Sequence, residues 1–205
     1  MEIFNKKITE KIVNLLNESI SINKKASLIV SGGDSPKKIL NSLDNTKCAW
    51  DKVEIMLADE RLVDVKSKFS NENNLKENFF KNFSKNAKYK SIRDLNIEND
   101  LSQVAILGFG LDGHFASIFP EHIGIKDFFS LKCDPQIIQT TPLGNPCVER
   151  LTLNLSFFSK VKNIFLIINS AEKLKVLKEA EHNQDLPLYH LLNTKLPKIS
   201  FITNL

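Results

Sequence analysis

The glycine-rich segment Gly108–Gly113 leads directly into His114, which is the clearest candidate for acid–base chemistry in the chain. A histidine on a turn at the end of a strand is well placed to act as a general base, and Asp112 could orient its ring. The alternative is a purely structural histidine. The segment also matches the dinucleotide fingerprint G-x-G-x-x-G, but Pro120 follows too soon for the long helix that such a site needs. We therefore do not expect a nicotinamide or flavin cofactor.

A second turn of small residues, Ser31 to Pro36, has the sequence Ser-Gly-Gly-Asp-Ser-Pro. Glycines let the backbone approach an anion closely, and the N–H groups at a helix N-terminus favour phosphate. The hydroxyls of Ser31 and Ser35 add donors. A plain strand-to-helix turn is the alternative, with Ser35 as the cap and Pro36 as the first helical residue. Asp34 counts against an anion site unless its carboxylate points away.

A third charged segment, Asp59-Glu60-Arg61, comes just after a buried apolar stretch. Arg61 could hold an anion through two hydrogen bonds, or stabilise a developing oxyanion. Ordinary surface charge at a strand end is the alternative. The absence of a Gly-x-Ser-x-Gly elbow disfavours a serine-nucleophile hydrolase. The remaining histidines have no comparable setting, and we expect them at the surface or at helix ends: His122, His182 and His190.

The elements that must position these residues alternate between buried strands and amphipathic helices. The predicted strands cover residues 28–30, 53–57, 103–107, 137–140, 151–155, 164–168 and 199–203. The predicted helices cover residues 8–20, 36–43, 75–83 and 171–180, the third entered from Ser70. This alternation is typical of an α/β fold with a largely parallel sheet flanked by helices. The length of 205 residues favours a single domain over residues 1–205.

The three chemically suggestive segments all follow predicted strands. In open parallel sheets, ligands bind outside the carboxyl ends of the strands. We therefore expect residues 31–35, 59–61 and 108–114 to meet at one edge of the sheet.

Composition and charge narrow the class of protein. Apolar residues make up 42% and charged residues 25% of the chain, as in ordinary soluble proteins, and the net charge is +4. Seven lysines and two glutamates give residues 66–90 a local charge of +5, which leaves the rest near −1 and argues against a nucleic-acid-binding surface. These lysines are interpreted as a solvated helix or as a means of steering an anionic substrate.

The sequence predicts a cytoplasmic protein. Its longest strongly apolar run, residues 164–168, is too short to span a bilayer, and the N-terminal residues show no apolar signal segment. The cysteines show no metal-ligand spacing, and we expect them to be free and mostly buried in a reducing compartment: Cys48, Cys133 and Cys147.

In order along the chain, these motifs resemble those of the 6-phosphogluconolactonases, within the glucosamine-6-phosphate isomerase/6-phosphogluconolactonase superfamily. The matching segments are Ser31-Gly32-Gly33 with Ser35-Pro36, Asp59-Glu60-Arg61 with Ser70-Asn71, residues 107–110 with 112–114 and 116–120, Arg150-Leu151-Thr152-Leu153 and Ala171-Glu172-Lys173. Two departures stand out: Asp34 where the family usually has serine, and Leu111 in place of a common glutamate.

The resemblance implies a modified Rossmann-like fold (NagB/RpiA/CoA transferase-like) and hydrolysis of 6-phospho-D-glucono-1,5-lactone in the oxidative pentose phosphate pathway. The catalytic residues it implies are His114, Asp112, Arg61 and Asp59. The phosphate and substrate would be held by Ser31, Gly32, Gly33, Ser35, Arg150 and Lys173. The chemistry needs no metal or redox cofactor, and the expected partner is a small sugar phosphate lactone, not nucleic acid or membrane. We expect a monomer, with a homo-oligomer left open.

Two other functions stay open at this point. Glucosamine-6-phosphate deaminases share the fold and the phosphate loop, although their counterpart of residues 59–61 typically lacks the arginine. A non-catalytic sugar-phosphate sensor would bind without turnover and would not need His114.

Overall fold

The computed structural model describes residues 2–95, 97, 104–195 and 197–203. Its helices are α1 (Glu2–Asn23), α2 (Lys37–Asp44), α3 (Asn71–Asn78), α4 (Lys126–Phe129), α5 (Leu155–Ser159), α6 (Ala171–Ala180) and α7 (Pro187–Leu192). Its strands are β1 (Ala26–Val30), β2 (Val53–Leu57), β3 (Asp59–Arg61), β4 (Lys88–Lys90), β5 (Val104–Leu107), β6 (Ile137–Gln139), β7 (Arg150–Leu153), β8 (Asn163–Ile168) and β9 (Lys198–Thr203). Short 3₁₀ helices cover Trp50–Lys52, Phe83–Asn86 and Pro120–His122.

Six strands form the central sheet in the order β4-β2-β1-β5-β8-β9, and each neighbouring pair is parallel. The prediction of a largely parallel α/β sheet is confirmed. The order runs outwards in both directions from β1 and β5, as in a doubly wound Rossmann fold, so the crevice between the ends of these two strands is the expected ligand site.

The two faces of the sheet pack against separate hydrophobic cores. Ile29 of β1 faces one core, whereas its neighbours Leu28 and Val30 face the other, as the two-residue period of a strand requires. Helices α1 and α2 cover the face of Leu28, and helices α5, α6 and α7 cover the face of Ile29. Because both faces are covered, the inner strands read as continuous apolar runs in the sequence.

A small antiparallel sheet, in the order β3-β7-β6, lies beyond the end of β2. Ala58 joins the two sheets, since its N–H donates to Val30 O (2.9 Å) and its carbonyl accepts from Leu153 N (3.1 Å). The predicted strands at 137–140 and 151–155 therefore do not belong to the parallel sheet. The second is also displaced: β7 begins at Arg150, and Leu155 already starts α5.

Several predicted boundaries differ from the structure. The third predicted helix ends at Asn78 rather than at residue 83, and Phe80 takes a left-handed φ of +65°. Its predicted entry from Ser70 is confirmed, because the Ser70 hydroxyl caps it by accepting from Asn73 N (3.1 Å), but the helix begins at Asn71 rather than at residue 75. Helix α2 begins at Lys37, so Pro36 is not its first residue and Ser35 does not cap it. Gln103, the predicted start of a strand, lies outside the described residues.

The lysine-rich stretch is not a solvated helix. Of its seven lysines only Lys76 lies in an α-helix, where it pairs with Glu72 (2.6 Å), while Lys88 and Lys90 belong to the edge strand β4. In the part of the chain that the structure describes, no helix is both long and apolar enough to cross a membrane.

Candidate active site

A cleft of about 320 Å³ opens at the carboxyl ends of β1 and β5, where the order of the strands reverses. The expectation that the three segments meet at one edge of the sheet is confirmed. The cleft is lined by Ser31, Gly33, Ser35, Pro36, Asp59, Arg61, Asn71, Gly108, Phe109, Gly110, Leu111, His114, Ala116, Arg150 and Lys173. Of the predicted site residues, only Gly32 and Asp112 do not line the cleft. Gly32 packs against Asn71 and Asp112 pairs with His114, and both of these partners line it.

The loop after β1 places two hydroxyls on the cleft. Ser31 Oγ accepts from Gly108 N (3.2 Å), and this bond ties the ends of β1 and β5 together. Ser35 Oγ accepts from Lys173 Nζ (2.9 Å). Because each hydroxyl accepts from the protein, its own proton is available to a ligand, which is what a phosphate oxygen needs.

Asp34 does not oppose an anion in the cleft. Its side chain is 89% exposed and pairs with Lys37 Nζ (2.7 Å), and it is not among the residues that line the cleft. The departure from the usual serine therefore removes a hydroxyl without adding a charge to the site.

Lys173 reaches the cleft from the first turn of α6. The Ser170 hydroxyl caps this helix by accepting from Lys173 N (3.3 Å), and Lys173 Nζ lies 5.4 Å from the centre of the Phe109 ring. Burial lowers the pKa of the Lys173 ammonium below its ordinary value. An anion in the cleft would stabilise the charged form of this partly desolvated group.

His114 and Asp112 form a close pair. His114 Nδ1 lies 2.5 Å from Asp112 Oδ1, which also accepts from the backbone N–H of His114 (3.2 Å). Burial raises the pKa of the Asp112 carboxyl, but the hydrogen bonds and charge of His114 outweigh it and hold the pKa below its ordinary value. With Nδ1 bound to a carboxylate, Nε2 is the nitrogen left for chemistry in the cleft.

The glycines of 108–113 make room for this pair and shape the turn. A Cβ at Gly110 would overlap both the His114 imidazole and the Asp112 carboxylate, and Gly113 has a φ of +76°. The N–H of Gly110 donates to His114 O (2.8 Å), and that of Gly113 donates to Gly110 O (3.2 Å). These N–H groups are used within the protein, so they are poor candidates for an oxyanion hole.

Asp59 and Glu60 have different roles in the structure although they are adjacent. Asp59 lines the cleft, and its Oδ2 accepts from Ser117 Oγ (2.6 Å). Glu60 points the other way and accepts from the backbone N–H groups of Asn71 and Glu72 (both 2.7 Å) at the start of α3. Burial raises the pKa of the Glu60 carboxyl, although these hydrogen bonds oppose the rise. Glu60 therefore anchors α3, and Asp59 faces the site.

Arg61 and Arg150 bring two guanidinium groups to the same cleft. Arg61 Nη1 donates to Phe69 O (2.9 Å), and Arg150 Nη2 donates to Pro146 O (2.9 Å). The Nε of each is buried and has no hydrogen-bond partner among the described residues. Burial lowers the pKa of Arg150, the charge of Asp59 raises it and the charge of Arg61 lowers it again. Such unpartnered cationic donors are suited to an anionic or polar ligand.

The sequence reasoning left several lining residues without a role, notably Asn71, Phe109 and Ala116. Asn71 belongs to the Ser70-Asn71 segment of the family resemblance, which was the one available signal for it. Ala116 takes a φ of +48°, a conformation that L-residues rarely adopt and that single-sequence patterns do not reveal.

The histidine and cysteine predictions need correction. His122 ends a 3₁₀ helix as expected, but it is buried rather than at the surface. Its Nδ1 accepts a hydrogen bond from Phe119 N (3.1 Å), and its ring stacks on that of Phe128, with the ring centres 3.9 Å apart. The cysteines are free, yet none is buried: Cys48 and Cys133 are half-buried and Cys147 is exposed. The described residues contain no group of three or more His, Cys, Asp or Glu side chains that could hold a metal ion.

Comparison with known proteins places the chain in a family. It matches the family described as Glucosamine-6-phosphate isomerases/6-phosphogluconolactonase over residues 2–198. The chain belongs to this family. The match spans every segment that lines the cleft, from the loop after β1 to the first turn of α6.

Similar proteins within the family are named 6-phosphogluconolactonase. The 6-phosphogluconolactonase of Thermotoga maritima is 29% identical over 197 residues, which cover 89% of this chain and 86% of that protein. The 6-phosphogluconolactonase of Rhizobium meliloti is 30% identical over 193 residues, covering 83% and 79%. The crystal structure of a 6-phosphogluconolactonase from Shewanella baltica has a TM-score of 0.86 at 26% identity, covering 98% of this chain and 93% of that chain.

Proposed function

We propose that this protein hydrolyses 6-phospho-D-glucono-1,5-lactone to 6-phospho-D-gluconate. The observation that carries the proposal is the His114–Asp112 pair, which faces a cleft that also holds Arg61, Arg150 and Lys173. A lactone phosphate needs a base for water, a cation for the oxyanion and further cations for the phosphate. The cleft supplies all three, and the relatives described above are named for this activity.

His114 acts first as a base and then as an acid. Its Nε2 takes a proton from a water molecule while the water oxygen attacks the lactone carbonyl carbon. The tetrahedral oxyanion then collapses, the bond between the carbonyl carbon and the ring oxygen breaks, and the imidazolium returns the proton to that oxygen. Asp112 holds Nδ1 and stabilises the imidazolium between these steps, which fits its pKa below the ordinary value.

Arg61 is the group that stabilises the oxyanion. Arg61 lines the cleft, its buried Nε has no hydrogen-bond partner among the described residues, and its Nη1 is fixed by Phe69 O. The backbone of residues 108–113 could also offer N–H groups to an oxyanion, but those of Gly108, Gly110 and Gly113 already donate within the protein. Asp59 faces the same space as a carboxylate held by Ser117.

The phosphate is held at the loop after β1. Ser31, Gly33 and Ser35 line this end of the cleft, Lys173 joins it through Ser35, and Arg150 supplies the second cation. Gly32 contributes space, because a Cβ there would overlap the side chain of Asn71. Charge-assisted hydrogen bonds from such groups are the stronger kind that anion recognition uses.

The setting of the reaction is also part of the proposal. Residues 1–205 act as one domain in the cytoplasm, on a small sugar phosphate lactone. The free thiols of Cys48, Cys133 and Cys147 fit a reducing compartment. Helices and strands from both ends of the chain contribute to the cores on the two faces of one sheet, which supports the single domain.

The deaminase of the same family is the competing function, and Arg61 distinguishes the two. Deamination of an amino sugar phosphate needs a carboxylate that moves a proton between carbons 1 and 2, and a nearby guanidinium would lower the basicity of that carboxylate. Arg61 lines the cleft together with Asp59. This arrangement favours lactone hydrolysis.

One experiment separates these functions from each other and from a sensor. Purified protein is assayed for hydrolysis of the 6-phosphate lactone, corrected for spontaneous opening, and in parallel for ammonia release from glucosamine 6-phosphate. We expect catalysed hydrolysis and no ammonia. Ammonia release at an equal or greater rate would establish the deaminase, and binding of either compound without turnover would establish the sensor.

A further inference from the structure

Asn71 is a buried polar residue in the wall of the cleft. It is the first residue of α3, is only 2% exposed and is held through its backbone N–H, which donates to Glu60 Oε1 (2.7 Å). Its side chain packs against Gly32, where any Cβ would overlap it. The position of this amide is therefore fixed by its surroundings.

The orientation of the Asn71 amide is fixed as well. Its Nδ2 donates to the carbonyl oxygen of Asp59 (2.9 Å). Because a carbonyl oxygen can only accept, the amide nitrogen must face Asp59 and the amide oxygen must face away. Within the described part of the chain, this Oδ1 is buried and accepts no hydrogen bond. Such an acceptor is destabilising until a donor reaches it.

Arg61 is anchored to the same carboxylate as Asn71, and it also carries an unpartnered polar atom among the described residues. Arg61 and Asn71 both donate their backbone N–H to the same atom, Glu60 Oε1 (2.7 Å each). Arg61 Nε is buried and, among the residues described, unpartnered like Asn71 Oδ1. A ligand group that pairs with Asn71 Oδ1 must donate a hydrogen bond to it, which leaves Arg61 Nε for the oxyanion.

A sugar hydroxyl is the ligand group with this property. A hydroxyl carries one donor and two acceptor lone pairs, whereas a carboxylate or a phosphate dianion can only accept. An anionic oxygen would also be repelled by the amide oxygen of Asn71. This part of the wall therefore suits the sugar ring rather than its phosphate.

We propose that Asn71 is a specificity-determining residue whose Oδ1 accepts a hydrogen bond from one ring hydroxyl of the substrate. The proposal rests on the proposed function, since it concerns the lactone in the same cleft. It assigns to Asn71 the recognition of a hydroxyl, a task distinct from the oxyanion and phosphate contacts of the arginines and Lys173.

The test is a double-mutant cycle between protein and substrate. Wild type and Asn71→Ala are assayed, after subtraction of the spontaneous reaction, with the parent lactone 6-phosphate and with its 2-deoxy, 3-deoxy and 4-deoxy analogues. With the parent, Asn71→Ala should lower kcat/KM about tenfold, the scale of one lost hydrogen bond. With one of the three deoxy analogues the two proteins should agree within about twofold, because both partners of the bond are then gone.

The cycle distinguishes recognition from a structural effect. Loss of the bond to Asp59 O alone would lower the rate equally with all four lactones, and this result would overturn the proposal. Asn73→Ala is the matched control, because Asn73 lies in the same first turn, bonds to Glu77 outside the cleft and should react as wild type does. If Asn71→Ala does not fold, Asn71→Ser replaces it, since serine also removes Oδ1 and keeps a small polar side chain at this position.

Failure of the proposed function looks different from failure of this inference. A wild-type protein that hydrolyses none of the lactones refutes the function. A wild-type protein that hydrolyses the parent, with no deoxy analogue that cancels the effect of Asn71→Ala, refutes only the role of Asn71.

Discussion

Arg61 and Arg150 are direct partners across the antiparallel pairing of β3 with β7. Side chains opposite each other in such a ladder lie close together, and like charges placed there destabilise the sheet. The charge of Arg61 does lower the pKa of Arg150, after the larger effect of burial. The protein thus holds two cations close together at the cleft, and an anionic ligand would relieve the repulsion between them.

Arg61→Ala should separate stability from activity. Removal of one of two opposed cations should leave the thermal midpoint of the ligand-free protein unchanged or higher. The same change should lower kcat for the lactone about 10²-fold, the scale of one lost oxyanion donor. Thermal unfolding and blank-corrected kinetics measure the two effects. A variant with kcat within threefold of wild type would remove Arg61 from the mechanism.

Lys173→Ala should mainly weaken substrate binding. Lys173 contacts Ser35 at the proposed phosphate end of the cleft, so its loss should raise KM about 10- to 100-fold and change kcat less. Lys175→Ala is the matched control, because Lys175 lies exposed on the same helix α6. The phosphate assignment fails if the two variants have the same KM.

Gly110→Ala should impair catalysis without removing any functional group. The new Cβ would overlap the His114 ring and the Asp112 carboxylate, and a displacement of about 1 Å at a catalytic group can lower the rate about 10²-fold. Gly124→Ala is the control: its φ of +86° makes alanine destabilising by roughly 1–2 kcal/mol, but it lies outside the cleft. A fall in kcat for both variants would point to general destabilisation instead.

His122 should make the stability of the protein depend on pH. Burial lowers the pKa of His122 below its ordinary value of 6.5, although Glu121 opposes the shift. The folded state then binds fewer protons than the unfolded state, so stability present above about pH 6.5 is lost as the pH falls towards the folded pKa, by at most about 1.4 kcal/mol per pH unit.

The control for this pH dependence is His122→Asn, whose Oδ1 can replace Nδ1 as the acceptor for Phe119 N and which does not titrate in this range. Urea unfolding at several pH values below about 6.5 should show a shallower loss of stability for the variant as the pH falls. Equal slopes for the two proteins would show that His122 is not the group responsible.

The parts of the fold that could be predicted from the sequence are those that local patterns specify. Strands β1 and β8 are largely buried and contain the continuous apolar runs 28–30 and 164–168, β2 is apolar apart from Glu54, and α1 and α6 show a clear helical period. The small antiparallel sheet could not be predicted, because pairing of β3 with β7 depends on contacts between residues about ninety positions apart. The sequence pattern alone did not distinguish β7 from a strand of the parallel sheet.

Some residues of the candidate site could be predicted from local sequence patterns, and others could not. Residues at the ends of predicted strands, such as Ser31, Arg61 and His114, were found because the geometry of a parallel sheet brings those ends together. Arg150 and Lys173 came only from the family resemblance, since neither has a distinctive local setting. Asn71 was missed as a site residue because its significance lies in an unpartnered oxygen, which is a property of the packed structure.

The measurement that tests the central claim most directly is the blank-corrected rate of lactone hydrolysis by His114→Asn beside wild type. As a general base, His114 should contribute about 10²–10⁴-fold, and the acidic limb of the pH–rate profile should disappear in the variant. The exposed His182 provides the control, and His182→Asn should retain the wild-type rate and profile. A folded His114→Asn protein within threefold of wild type would contradict the account, because the residue paired with Asp112 would then be structural.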